Sequence, residues 1–135
     1  MVKKKQSQET ETAIVVDEGE IAASSEDDQT FKDLSDKLAE IRKDKDVIGY
    51  IIRSKTSATI DLNKPEKLAE YAIFSYQVMD SSQEISDQFD LGDVENILIE
   101  GKESKALCTK IQGNKISIFM ERNADHADIL KQISP

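Results

Sequence analysis

Apolar residues along the chain follow a helical period in some segments and a strand period in others, with turn residues at the changes. From Thr30 they recur at Phe31, Leu34, Leu38 and Ile41, which places them on one face of a helix ending near Lys43. Thr30 stands as its N-cap, with Asp33 at the capping-box position. "VIGYIIR" (47 to 53) and "TSATIDL" (56 to 62) read as two strands joined at Ser54-Lys55. Pro65 opens a second helix at its first position, running to about Phe89, and Gly92 punctuates its end. Three strands follow, "VENILIE" (94 to 100), "KALCTKI" (105 to 111) and "KISIFM" (115 to 120), with Gln112 to Asn114 as the second turn. "NADHADILKQI" closes the chain as a short helix capped by Asn123, with Ala127, Leu130 and Ile133 inward. The order helix, two strands, helix, three strands, helix predicts an α+β domain over residues 30 to 135.

The long helix carries two apolar stripes when its residues are set about 100° apart. Tyr71, Phe74, Val78, Ile85 and Phe89 form a bulky one, and Leu68, Ala72, Ser75, Met79, Ser82 and Ser86 form a neighbour made largely of small residues. A helix resting on one sheet needs a narrower face, so the surplus predicts a second packing surface. Bulky side chains suit a sheet and small ones let a second helix approach, which assigns the small stripe to a dimer contact. Met79→Asp is then the substitution that separates the subunits. The alternative is that another helix of the same chain covers that stripe.

Charge changes the picture at the N-terminus. The first 29 residues carry three lysines against eight acids, −5 of the total −9, with no aromatic residue. Such a segment buries too little to offset its ordering entropy, so residues 1–29 are expected to be a disordered acidic tail. Within it only "AIVV", Ala13 to Val16, breaks the polarity, as a tolerated apolar patch or as a strand added to an exposed sheet edge. The body stays acidic, which excludes the clustered basic surface that nucleic acid requires. No apolar run reaches the ~20 residues of a membrane span and no signal-peptide core is visible, so a cytoplasmic protein is expected.

Candidate chemistry is sparse. Gly101-Lys102 after a strand suggests a phosphate loop, but Asn96 stands where that pattern needs glycine and Glu103 where it needs a hydroxyl, which leaves a hairpin turn. Cys108, the one cysteine, lies in an apolar strand pattern and reads as a core residue. His126, the one histidine, sits between Asp125 and Asp128 and reads as a solvated first-turn residue rather than a general base. Asp87, Asp90, Asp93 and Glu95 do not have the spacing of a calcium loop. No catalytic residue, metal site or cofactor is expected, and a binding module is favoured over an enzyme.

The segments "VIGYIIRSKTSATIDL", "KLAEYAIFSYQVM", "DLGDVENILIEGKESKALCTKI" and "GNKISIFMERNADHADILKQI" together resemble a Roadblock / dynein light chain family domain in order, spacing and pattern. The resemblance implies a five-stranded antiparallel sheet with the long helix on one face and the two shorter helices on the other. It implies a homodimer, or a heterodimer with a related Roadblock protein, formed through the long helix and the following strand. The expected interface residues are Leu68, Ala72, Ser75, Met79, Ser82, Val94, Asn96 and Leu98. It also implies regulation or scaffolding of a Ras-like small GTPase, or service as a motor or cytoskeletal adaptor. A GTPase on the helix face would meet Glu70, Ile73, Gln77, Asp80 and Glu84, and none of Arg42, Arg53 and Arg122 is expected there. The competing reading is a small-molecule sensor of PAS or GAF type.

Overall fold

A computed structural model describes residues 12–17 and 25–135, with side chains from residue 29 onward. Its elements are β1 (Thr12–Asp17), α1 (Ser25–Ile41), β2 (Val47–Arg53), β3 (Ser57–Leu62), a 3-10 turn (Pro65–Lys67), α2 (Leu68–Gln88), β4 (Asn96–Glu100), β5 (Ser104–Ile111), β6 (Asn114–Glu121) and α3 (His126–Ile133). The expected five antiparallel strands are present in the spatial order β3-β2-β6-β5-β4, and β1 adds a sixth beside β3.

The acidic segment departs from expectation. Of the residues expected to be disordered, 12–17 form β1 and 25–29 open α1, while 1–11 and 18–24 lie outside the described residues. β1 pairs from Thr12 opposite Leu62 to Asp17 opposite Ser57. The β-branched run Ile14, Val15, Val16 suits a pleated ladder, and the edge of β3 offers backbone groups to pair with. The helix starts at Ser25 rather than beyond Thr30, since Glu26, Asp27 and Asp28 stand in a first turn where carboxylates suit the positive end of the helix dipole. Asp33 accepts from the Gln29 side chain at 2.7 Å instead of closing a capping box. At the other end of the chain Asp125, not Asn123, caps α3 by accepting from the Asp128 amide at 3.0 Å. That shift turns Ile129 and Ile133 inward and leaves Ala127 exposed.

Strand alternation splits the interior in two. Leu34, Leu38 and Ile41 of α1 and Ile129 and Ile133 of α3 pack with Tyr50, Ile52, Leu107, Ile116, Ile118 and Met120 on one face of the sheet. Ile51, Ile60, Leu62, Ala106 and Phe119 occupy the other, under Leu68, Tyr71 and Phe74 of α2. The two short helices and the long one therefore cover opposite faces. Arg42, at the end of α1, reaches Asp61 of β3 at 3.5 Å and ties that helix to the sheet. Gln112 and Gly113 link β5 to β6 with both φ angles positive, 51° and 83°, the geometry a two-residue hairpin needs to match strand twist.

Candidate functional site

The site is built around α2. Small residues form its seat on the sheet: Ser75, Met79 and Ser86 are buried, and the Ser75 and Ser117 hydroxyls are hydrogen-bonded beneath the helix. Ser117 in turn donates to the Cys108 sulfur at 3.3 Å. Tyr71 and Phe74 pack beside this seat on Phe119, with ring centroids 4.4 and 5.9 Å away. The stripe expected to meet a second helix thus meets the chain's own sheet, alongside Tyr71 and Phe74 of the bulky one. The sheet supplies the bulk itself, through Phe119, Ile51, Ile60 and Leu62, so the helix above it must be slim. Met79→Asp would consequently put a carboxylate into this core and unfold the domain rather than divide a dimer.

Only the far end of the bulky stripe, Ile85 and Phe89, is left on the flank, with Leu91 beyond it. Ile85 is 56% exposed, Phe89 68% and Leu91 73%. The same flank borders β4, the edge of the sheet opposite β1. Ile97 and Ile99 pair with Cys108 and Ala106, whose side chains face α2, so both isoleucines lie on the helix side; Ile99 is 40% exposed. Asn96 and Leu98 pair with Thr109 and Leu107 and lie on the other face, where Asn96 accepts from the Thr109 hydroxyl at 2.6 Å. Val94 precedes the strand, half-buried, with its amide held by Gln83 at 3.0 Å. Of the expected interface residues, then, Ser75 and Met79 are buried in the monomer, Leu68, Ala72 and Ser82 are half-buried along the seat, and Asn96 and Leu98 face away from α2. Ile85, Phe89, Leu91, Ile97 and Ile99 form the apolar surface in their place.

Two hollows mark this flank. An open groove of about 350 Å³ runs between the first half of α2 and β4 and β5, floored by Phe119 and Ala106 and walled by Tyr71, Phe74 and Ile99. A shallower one of about 270 Å³ lies between Ser82, Ile85, Leu91 and Val94. The loop that separates α2 from β4 is clasped to the helix: the Ser86 hydroxyl donates to the Gly92 carbonyl, and the Gln83 side-chain amide reaches the same oxygen at 3.4 Å.

The outer face of α2 presents Glu70, Ile73, Gln77, Asp80 and Glu84, all exposed. Ile73 is 57% exposed, and Tyr76, one turn along, is 48% exposed with the Arg53 guanidinium 3.8 Å from its ring centroid. Arg53 therefore stands against α2, contrary to expectation, because β2 ends beneath the helix on the flank away from β4.

No catalytic arrangement emerges among the described residues. His126 Nδ1 lies 2.9 Å from Lys105 Nζ, while its neighbour Asp125 is occupied as the helix cap. Among the described residues no three His, Cys, Asp or Glu side chains are placed to hold a metal ion, and no helix is long and apolar enough to cross a membrane. Gly101 closes the β4–β5 hairpin, its amide donating to the Ser104 carbonyl at 2.8 Å. Cys108 is buried, and burial pushes its thiol up while the Ser117 hydrogen bond pulls it down. The folded chain thus keeps this proton at alkaline pH where the unfolded chain releases it. That contribution to stability is complete below the unfolded value and is lost as pH rises through the folded one. An aromatic disulfide reagent at neutral pH is expected to label Cys108 only as fast as the domain opens; rapid, stoichiometric labelling of the native protein would contradict its placement.

No protein-family model and no curated protein matches the sequence. Among solved structures, a Roadblock/LC7 domain from Streptomyces avermitilis superposes with a TM-score of 0.61 at 14% identity, over 72% of this chain and 85% of that one. The chain has the Roadblock/LC7 fold. The likeness is one of fold, with about one side chain in seven shared. The flank formed by α2 and β4 is accordingly the part of this Roadblock/LC7 fold whose chemistry must be read from its own residues.

Proposed function

We propose that the protein is a non-catalytic, dimeric adaptor or regulator of a Ras-like small GTPase in the cytoplasm. The observation that carries the dimer is the union of an apolar helix flank with a sheet edge: Ile85, Phe89 and Leu91 on one side, β4 with Ile97 and Ile99 on the other. A two-fold axis beside β4 lets each β4 pair with its copy and stacks the α2 flanks over the continuous sheet. A related Roadblock-type chain fits the same edge as a heterodimer partner. The small-molecule alternative draws on the groove at Tyr71 and Phe74, which lies on the flank that this dimer covers.

Dimerisation leaves the outer face of α2 available, and Ile73 and Tyr76 are its exposed apolar members among acids and amides. Affinity capture from native lysate with GDP or a GTP analogue tests the partner. Nucleotide-dependent recovery of a small GTPase is expected, and recovery of none in either state would overturn the reading. Ile73→Glu is expected to lower recovery at least tenfold, about 1.4 kcal/mol or more, with the dimer mass unchanged. Full retention would remove this face from consideration.

A further inference from the structure

We infer that the outer edge of β3 is an acceptor site for an extended apolar peptide, filled in the free protein by the chain's own β1 and open to an equivalent strand from another chain. β1 pairs with β3 residue for residue over all six positions, Thr12 to Asp17. Its backbone approaches β3 along its whole length and makes no comparably extensive approach to another described element. The ladder is therefore separable from the rest of the fold. The five-stranded sheet is complete without it, since β3 is already paired through its other edge with β2, from Gly49 opposite Leu62 to Arg53 opposite Ala58.

The sequence of β1 has the character of an added strand. "TAIVVD" sets three consecutive β-branched residues between acids at Glu11 and Asp17. Such a segment gains affinity from main-chain bonds to an edge and specificity from alternate side chains. Seven residues, 18–24, connect it to α1, so the segment sits at high effective concentration beside its own edge. A competing strand must displace it, which makes the site strongly dependent on whether β1 is in place. This edge lies across the sheet from β4, so its occupancy is independent of the dimer surface proposed above.

The test uses the full chain and a labelled, end-blocked peptide of residues 9–20. Successive amides of a strand point to opposite edges, so in the double variant Ile14→Pro, Val15→Pro one of the two lost N–H groups is a donor to β3 whichever way the strand is set, and the internal strand is weakened. The peptide is expected to bind this variant about tenfold or more tightly than it binds the unaltered chain. Hydrogen exchange is expected to show loss of protection at residues 57–62 in the variant and its return with peptide. Equal binding to the two chains, or protection that falls on 96–100 instead of 57–62, would overturn the inference. A peptide carrying the same two prolines is expected to bind neither chain; binding by it would do the same.

Discussion

Gly49→Ala is expected to lower the thermal midpoint by roughly 10 °C. Gly49 lies in β2, buried, and pairs with Leu62 of β3. A Cβ there would stand 2.5 Å from the Asp61 carbonyl oxygen, 2.7 Å from Leu62 Cδ2 and 2.9 Å from Leu62 Cα. Two of those three atoms are backbone, so no rotamer change clears the space, and β3 must move. Leu62 belongs to the core under α2 and Asp61 to the ion pair with Arg42, so that movement disturbs both faces of the sheet. The cost is about 3 kcal/mol. Gly113→Ala is the control: nothing lies within 4 Å, and only the φ of 83° opposes a side chain, which costs about 1 kcal/mol. Calorimetry that ranked the two in the opposite order would mean that β2 and β3 are not in this register.

The double substitution Ile85→Asp, Ile99→Asp is expected to convert a dimer of twice 15.1 kDa into a monomer without loss of fold. Both side chains are substantially exposed in the single chain, so a carboxylate there meets water and the domain's own stability is little changed. In the assembly each substitution appears twice across the two-fold axis. Losing the burial of one such side chain costs roughly 2 kcal/mol, and the unpaired carboxylate adds to it. A total of about 4 kcal/mol or more weakens association at least a thousandfold. Light scattering at tens of micromolar reads the mass, and circular dichroism reads the fold. A wild-type chain that is monomeric at that concentration, or a variant that stays dimeric, would defeat the proposed assembly.

Much of this architecture is visible in the amino-acid pattern, and the parts that are not share a cause. The periodicity from Leu68 to Phe89 and the turn residues at Ser54-Lys55 and Gln112-Gly113 state locally which segments are helix, strand and hairpin. How the two stripes of α2 share the sheet is not a local property. It depends on how much volume Phe119, Ile51 and Ile60 already occupy beneath it, and that is known only once strands pair. The parity of β4 is hidden for a similar reason. "ILI" is apolar at three successive positions, so alternation does not show which side holds α2, and only the register with Ala106 and Cys108 separates Ile97 and Ile99 from Leu98. Arg53 and Tyr76 meet across elements distant in sequence, and no pattern in either segment announces the contact. Likewise Glu26, Asp27 and Asp28 serve equally as tail composition and as a helix's first turn.

The clasp at the end of α2 gives the two candidate surfaces a common frame. Gln83 points from the helix to the loop and holds both the Val94 amide and the Gly92 carbonyl, while Ser86 fastens the same carbonyl from the next turn. The entry of β4 is thereby fixed by side chains of α2 and not by the sheet alone. Helix and edge strand are thus coupled through side chains: removing the Gln83 and Ser86 contacts would release the segment leading to Asn96, the first residue of the strand, from the last turns of α2.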